Sequence, residues 1–159
     1  MHKVMRVLAI DPGYGRMGLA VVEGDASKPT FVYSDCIETH KEDEGRLATI
    51  AEALSGALVQ YAPDLVAIES LFFSNNAKTA LKVGEARGAL LSVVQARGTP
   101  IKEYSPQQIK MAVTGNGAAD KTAVARMVPH LITLPQKNRL DDEMDALALG
   151  ICALSHKLS

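Results

Sequence analysis

Four acidic residues of this chain stand where a fold could bring them to one point. Asp11 and Glu69 each follow four apolar residues that predict a buried strand, and Asp142 and Asp145 share one face of a predicted helix. A carboxylate at the end of a buried strand is costly unless it is paired or bound to a metal. Several carboxylates without matching Cys or His favour hard divalent ions such as Mg²⁺ or Mn²⁺. The sequence therefore predicts a divalent-metal site.

Simpler interpretations of the same acids stay open at this stage. Asp11 precedes Pro-Gly and could cap a turn. Asp142 could be the N-cap of its helix, with Asp145 in a first turn where the helix dipole favours acids. Asp141 and Glu143 crowd the same segment. The sequence therefore leaves open which acids of residues 141–145 bind the metal.

Three strands are predicted at the start of the chain. Residues 4–10, 18–22 and 30–37 are apolar or β-branched and are separated by short turns. Connections this short make the three strands antiparallel neighbours.

Helices and strands alternate in the rest of the chain. Apolar spacing predicts a helix ending before Pro63, a strand at 65–69, a helix over 77–97, a strand at 101–104 and further helices. The order indicates an α/β fold, a mixed five-stranded sheet with three antiparallel strands and then parallel ones, flanked by helices. Asp11 and Glu69 would lie at carboxyl ends of strands, where ligand sites form in open α/β sheets.

Composition indicates a single domain over residues 1–159. The chain is 47% hydrophobic and 22% charged, and no apolar stretch approaches the roughly 18 residues of a membrane span. The N-terminus lacks a signal-peptide pattern, so a cytoplasmic protein without a membrane partner is expected. Cys36 and Cys152 are predicted to be buried, reduced thiols.

Charge is unevenly distributed although the net charge is only −1. Residues 71–130 carry 8 Lys and Arg against 3 acids. A basic surface beside an acidic metal pocket is typical of an enzyme that cleaves phosphodiesters. An ordinary solvated helix surface explains the charge count equally well.

Two metal ions about 3.5–4 Å apart would flank a scissile phosphate in such an enzyme. Asp11 is the candidate shared ligand, because the end of a central strand is the most rigid platform. Glu69, Asp142 and Asp145 would complete the ligand set.

Collinear segments covering nearly the whole chain match one known family. They are Ala9–Gly13, Ile68–Phe73, Asn75–Ala77 leading into Ala80–Gly88, Glu103–Lys110, Val113–Gly115, Asp120–Lys121 and Asp142–Ala148. On these motifs the chain resembles the RuvC family of bacterial Holliday-junction resolvases, within the ribonuclease H-like superfamily. Departures are modest: residues 14–17 fall in a variable stretch, and Glu143-Met144 stands where small residues are common.

The resemblance implies a homodimeric endonuclease of recombination and repair. It would nick two strands of a four-way junction symmetrically, using Mg²⁺ or Mn²⁺, with two ions per active site and the RuvA–RuvB motor as a partner. Asp11, Glu69, Asp142 and Asp145 align with the family's acidic positions.

DNA contacts are expected on the basic middle of the chain and on an aromatic pair. Lys110 and Lys121 align with family lysines near the DNA backbone, and the position of Phe72 matches an aromatic that stacks on or wedges the junction. Phe73 could pack under its loop or share that role. The remaining predicted DNA contacts are Lys78, Lys82 and Arg87.

The predicted helix over residues 77–97 has small residues, Gly84 and Gly88, on one face. In the family this helix helps to form the dimer interface, although packing within the core explains the pattern equally well.

Three other functions share some of these sequence features. They are a YqgF-type protein acting on RNA, half of an actin-like sugar kinase, and a non-catalytic junction-binding module. The lysine and aromatic motifs disfavour the YqgF-type protein. The chain is too short for an actin-like sugar kinase, which needs two such domains. The complete set of four acids disfavours a non-catalytic module.

Overall fold

The computed structural model describes residues 3–40, 42, 44–70 and 76–156. One sheet has the strand order β3-β2-β1-β4-β5. The strands are β1 (Met5–Pro12), β2 (Arg16–Gly24), β3 (Thr30–Glu38), β4 (Leu65–Glu69) and β5 (Ile101–Tyr104). The helices are α1 (Arg46–Tyr61), α2 (Ala77–Ala96), α3 (Pro106–Thr114), α4 (Lys121–Leu131) and α5 (Asp141–Ser155).

Strand pairing confirms the predicted mixed sheet. β1, β2 and β3 are antiparallel neighbours, whereas β4 runs parallel to β1 and β5 runs parallel to β4. The carboxyl ends of β1, β4 and β5 therefore meet at one edge of the sheet.

Alternating residues of β1 face two separate cores. Val7 and Ala9 pack with α5, and Leu8 and Ile10 pack with α1 and α2. All four side chains are fully buried, which explains why the sequence shows a continuous apolar run rather than alternation.

Helix α5 lies against β1 and β2, and its residues 146–154 are all buried. A side chain at Gly150 would stand 2.8 Å from Val22 Cγ2, so this glycine permits the close approach of the helix to the sheet. This close packing of α5 on the sheet determines the position of the first turn of α5 relative to β1.

The structure differs from the sequence expectations in small ways. β1 continues to Pro12 because Asp11 pairs with Gly18 and Pro12 with Met17 of β2. Asp11 therefore lies within a strand, not in the turn. Cys152 is buried as predicted, whereas Cys36 is only partly buried. Among the described residues, no helix is long and apolar enough to cross a membrane.

Candidate metal-binding active site

The four predicted acids converge at the edge of the sheet. Burial and then the neighbouring Asp145, Asp142 and Glu69 carboxylates raise the pKa of Asp11 to about 8. Burial, followed by repulsion from Asp145, raises the pKa of Glu69. Burial is also the main cause that raises the pKa of Asp145. Gathering these negative charges without a cation is therefore unfavourable.

Two basic side chains oppose this charge. Arg16 Nε lies 2.9 Å from Asp142 Oδ2, and Lys121 Nζ donates to Asp145 Oδ2 at 3.2 Å. Asp142 Oδ2 is buried and accepts no hydrogen bond from the described residues. The Arg16 contact is thus a short ion pair without hydrogen-bond geometry, so the hydrogen-bonding capacity of this oxygen is unused.

The donor set suits a hard divalent ion. All four groups are carboxylates, and one of them has a buried oxygen without a hydrogen bond. Within the described part of the chain, no three acidic, His or Cys side chains are arranged closely enough to hold a metal ion as they stand. Binding an ion therefore requires side-chain rotation that brings the carboxylates closer together.

Glycines let the acids approach one another. Gly18, the β2 partner of Asp11, lies so close to α5 that a side chain there would collide with the backbone carbonyl of Asp142. A Cβ on Gly13 would stand 2.6 Å from the carbonyl oxygen of Arg16 and 3.6 Å from Asp142 Oδ1. These positions need glycine because backbone atoms, not movable side chains, occupy the space.

The position of Asp142 excludes the simpler interpretation of an N-cap. Helix α5 begins at Asp141, and Leu140 occupies the N-cap position. Asp142 is therefore inside the first turn.

Glu143 has a role that the sequence did not indicate. It is only 2% exposed and accepts a 2.5 Å hydrogen bond from Ser34 Oγ of β3. Lys137 Nζ and Arg139 Nε lie 3.3 and 3.1 Å from its carboxylate. Glu143 thus anchors the start of α5 to β3. The only sequence signal was the presence of two basic residues shortly before the helix.

Lys110 and Lys121 flank the acids. Together with Glu69 and Asp145 they line a small groove, and Lys110 opposes the rise in the Glu69 pKa. The Ser-Pro-Gln-Gln motif begins α3 with a capping box between Ser105 and Gln108, which positions Lys110. The Asp120 side chain accepts a 2.8 Å bond from the Ala123 amide and caps α4, so Lys121 stands at the start of that helix.

The other predicted DNA contacts are placed differently. Lys78 and Lys82 line a separate cavity of about 410 Å³ between α1 and α2. Phe72 and Phe73 lie outside the described residues.

Arg87 does not occupy the position expected of a DNA contact. Its side chain is buried, its Nη1 donates to the Glu69 carbonyl at 2.6 Å, and its Nη2 pairs with Glu103 of β5. A guanidinium held this way has little access to DNA phosphates. The sequence prediction is therefore corrected: the contacts of Arg87 hold the backbone of Glu69.

Replacing Arg87 by Ala is expected to destabilise the protein by about 1–3 kcal/mol, because the Glu69 carbonyl loses its charged donor. Arg87→Lys should recover little, since one ammonium cannot reproduce both contacts of the planar guanidinium. We expect Mn²⁺ affinity to fall in both variants, measured by calorimetric titration. Exposed Arg97, the C-cap residue of α2, provides the control Arg97→Ala. Unchanged Mn²⁺ affinity in Arg87→Ala would show that the contact does not position Glu69.

The raised pKa of Asp11 predicts how stability depends on pH. The folded protein holds this proton up to about pH 8, whereas the unfolded chain releases it near 3.8. Without metal, the contribution of Asp11 to stability therefore falls as pH rises from about 4 to 8. Added Mg²⁺ should raise the melting temperature more at pH 8 than at pH 5, because protons compete with the metal for the same oxygens. An equal increase at both pH values would contradict this.

The fold and site define a ribonuclease H-like protein, with acids on the central strand, on the adjacent parallel strand and on a helix packed over them. The family model described as crossover junction endodeoxyribonuclease RuvC matches residues 7–153. The chain belongs to the RuvC family. Nucleases of this family depend on divalent metal ions.

Relatives match over almost the full chain. The RuvC of Moorella thermoacetica is 42% identical over 153 residues, covering 95% of this chain and 92% of its own. The RuvC of Thermosipho melanesiensis is 43% identical over 150 residues, covering 93% and 96%. Both are named crossover junction endodeoxyribonuclease.

A solved RuvC structure has the same fold. Thermus thermophilus RuvC in complex with a Holliday junction substrate superposes with a TM-score of 0.87 at 34% identity, covering 96% of this chain and 94% of that one. The yeast mitochondrial resolvase Ydc2, at 14% identity and a TM-score of 0.69, is similar in fold alone.

Proposed function

We propose that this protein is a divalent-metal-dependent endonuclease that resolves four-way DNA junctions by nicking two strands symmetrically. One observation carries the proposal: Asp11 is partly buried and is repelled by three other acids, an arrangement that bound cations would stabilise. Membership of the RuvC family and the Holliday junction bound to the Thermus thermophilus relative support the choice of substrate.

Asp11 would be the shared ligand of two ions, and Glu69, Asp142 and Asp145 the flanking ligands. Two bound Mg²⁺ ions, or Mn²⁺ in their place, supply a water of lowered pKa and stabilise charge on the leaving 3′ oxygen. Each acid must be deprotonated to bind a metal ion, so Asp11 would lose its proton when the ions bind.

The lysines act on the phosphate. Lys121 pairs with Asp145, and an ion bound at Asp145 would free the Lys121 ammonium for the scissile phosphate. Lys110, which lines the same groove, would contact the DNA backbone. Lys78 and Lys82 are proposed to contact the junction further from the cut, and Phe72 is proposed to stack on an unpaired base or wedge the junction open.

Paired cuts need two active sites. Helix α2 presents Leu81, which is 65% exposed, and Gly84 and Gly88, whose missing side chains would point into open space. Such a face suits close packing with a second copy, and a two-fold axis there would give two sites related by symmetry. We propose a homodimer of single-domain chains that acts in the cytoplasm, with the RuvA–RuvB complex as a partner.

The direct test compares cleavage of a synthetic four-way junction, a linear duplex and an RNA–DNA hybrid of the same sequence, each with Mg²⁺. Paired nicks at symmetric positions in the junction alone are expected. Cleavage of the hybrid would place the protein in another ribonuclease H-like branch. Tight junction binding without any cleavage would indicate a non-catalytic module.

A further inference from the structure

A cavity of about 630 Å³ opens beside Asp142 and shares no lining residue with the groove that contains Lys110 and Lys121. The turn between β1 and β2 forms one wall, and the end of β3 with the two residues after it forms the other. Its lining includes Gly13, Tyr14, Arg16, Thr39, His40 and Asp142. We call it the β1–β2 cavity.

The walls of the β1–β2 cavity are held in place. The Thr39 amide donates to the Gly15 carbonyl at 2.9 Å, which joins the two walls. The Arg46 guanidinium lies 5.8 Å from the centroid of the Tyr14 ring, and Arg46 itself pairs with Glu85 of α2 at 3.0 Å. The shape is therefore formed before any ligand arrives.

Arg16 is the group in this cavity whose partner must change. It is partly exposed, with 43% of its side chain accessible, and its ion pair with Asp142 Oδ2 lacks hydrogen-bond geometry. Asp142 is also a candidate metal ligand, so an ion and Arg16 would compete for one carboxylate. Metal binding would leave the guanidinium in the cavity without its partner.

We propose that the β1–β2 cavity binds one nucleotide of the DNA strand next to the scissile phosphate, and that Arg16 exchanges Asp142 for the phosphate of that nucleotide when metal binds. This inference rests on the proposed function. A guanidinium matches a phosphate with two parallel hydrogen bonds. Glu38, which also lines the cavity, disfavours additional anions, so the site takes one phosphate and not a polyanionic ligand.

Location and size support a nucleotide as the ligand. The β1–β2 cavity shares Asp142 with the metal site, so a strand whose scissile phosphate lies at the acids must continue past one side of them. Its volume falls within the range of about 300–1,000 Å³ usual for small-ligand sites. Tyr14 and His40 are among the residues that line the cavity, and aromatic side chains are those on which unpaired bases stack.

The exchange is tested first without DNA, by titrating Mn²⁺ into the metal-free protein. Arg16→Ala should bind Mn²⁺ about two- to fivefold more tightly than the native protein, because a partly exposed ion pair no longer competes. The matched control Arg97→Ala should leave the affinity unchanged. Equal or weaker Mn²⁺ binding by Arg16→Ala, in a variant that melts normally, would overturn the exchange.

The subsite is tested by replacing each phosphate near the cut, one at a time, with a neutral methylphosphonate. Junction binding is measured with Ca²⁺ in place of Mg²⁺. One methylphosphonate beside the scissile phosphate should weaken junction binding by the native protein roughly threefold to tenfold. The same methylphosphonate should leave junction binding by Arg16→Ala unchanged, whereas methylphosphonates at other positions should affect both proteins equally. If every methylphosphonate weakens junction binding by Arg16→Ala as much as it weakens binding by the native protein, the proposed nucleotide subsite is wrong. A native protein that binds no junction would instead overturn the proposed function, and the Mn²⁺ titration would still report on the exchange.

Discussion

Asp11→Asn is expected to abolish junction cleavage, with a loss of at least about a thousandfold, while junction binding is retained. The change removes the charge of the proposed shared ligand, and such a ligand stabilises both the attacking and the leaving oxygen. The basic groups that contact DNA phosphates are untouched. Cleavage of a labelled four-way junction and a gel-shift titration measure the two effects separately.

The same substitution should make the metal-free protein more stable at pH 8. Deprotonation of Asp11 at this pH is unfavourable because of burial and repulsion by three neighbouring carboxylates. Asparagine carries no charge and removes this free-energy cost from the folded state. We expect the melting temperature to rise by several degrees at pH 8 and little at pH 5, since the native carboxyl is protonated at the lower pH.

Glu52→Gln provides the control for charge. Glu52 is exposed on α1, so its neutralisation should change neither cleavage nor the pH dependence of melting. Cleavage by Asp11→Asn within tenfold of the native rate would exclude Asp11 as the shared ligand.

Gly18→Ala should damage both stability and cleavage. The new methyl group would collide with the backbone carbonyl of Asp142, and the next nearest atoms, Asp142 C and Glu143 N, are also backbone. No rotamer change can relieve this contact, so the start of α5 must move away from β2. Overpacking of this kind costs about 1–3 kcal/mol, and displaced acids should lower cleavage by more than a hundredfold.

Gly56→Ala is the matched control for that variant. A side chain at Gly56 would meet nothing within 4 Å, and the position lies inside α1. Alanine there should be neutral or stabilise by about 0.5–1 kcal/mol. The two variants are compared by thermal melting and by Mn²⁺ titration. Normal Mn²⁺ binding in Gly18→Ala would mean that the close approach of α5 does not define the site.

Much of the fold could be predicted because the four apolar residues in the middle of β1 and the first four of β4 are buried. Their continuous apolar runs indicated central strands, and the breaks after them indicated which ends carry Asp11 and Glu69. The parallel pairing of Ile10 with Ile68 brings those ends together. The helical spacing of Asp142 and Asp145 placed both on one face, and the structure directs that face at Asp11.

The sequence could not show what neutralises the acids. Arg16 lies in a variable stretch far from Asp142 along the chain, and their contact depends on how α5 packs across β2. Arg87 was predicted to bind DNA because charge counts do not distinguish an exposed arginine from one buried against Glu69 and Glu103. Glu143 seemed to crowd the metal ligands, yet its side chain turns to Ser34 on β3. Each of these roles depends on contacts between distant parts of the chain.

The most direct test is the number of Mn²⁺ ions bound per protomer, counted by electron paramagnetic resonance on the protein with a four-way junction that cannot be cut. The account predicts two ions about 3.5–4 Å apart and magnetically coupled in the native protein. It predicts that the coupled pair is lost in Asp11→Asn, while the variant still binds the junction. A coupled pair that survives in Asp11→Asn, or a native protein that binds no Mn²⁺ on the junction, would contradict the assignment of these four acids as the metal site.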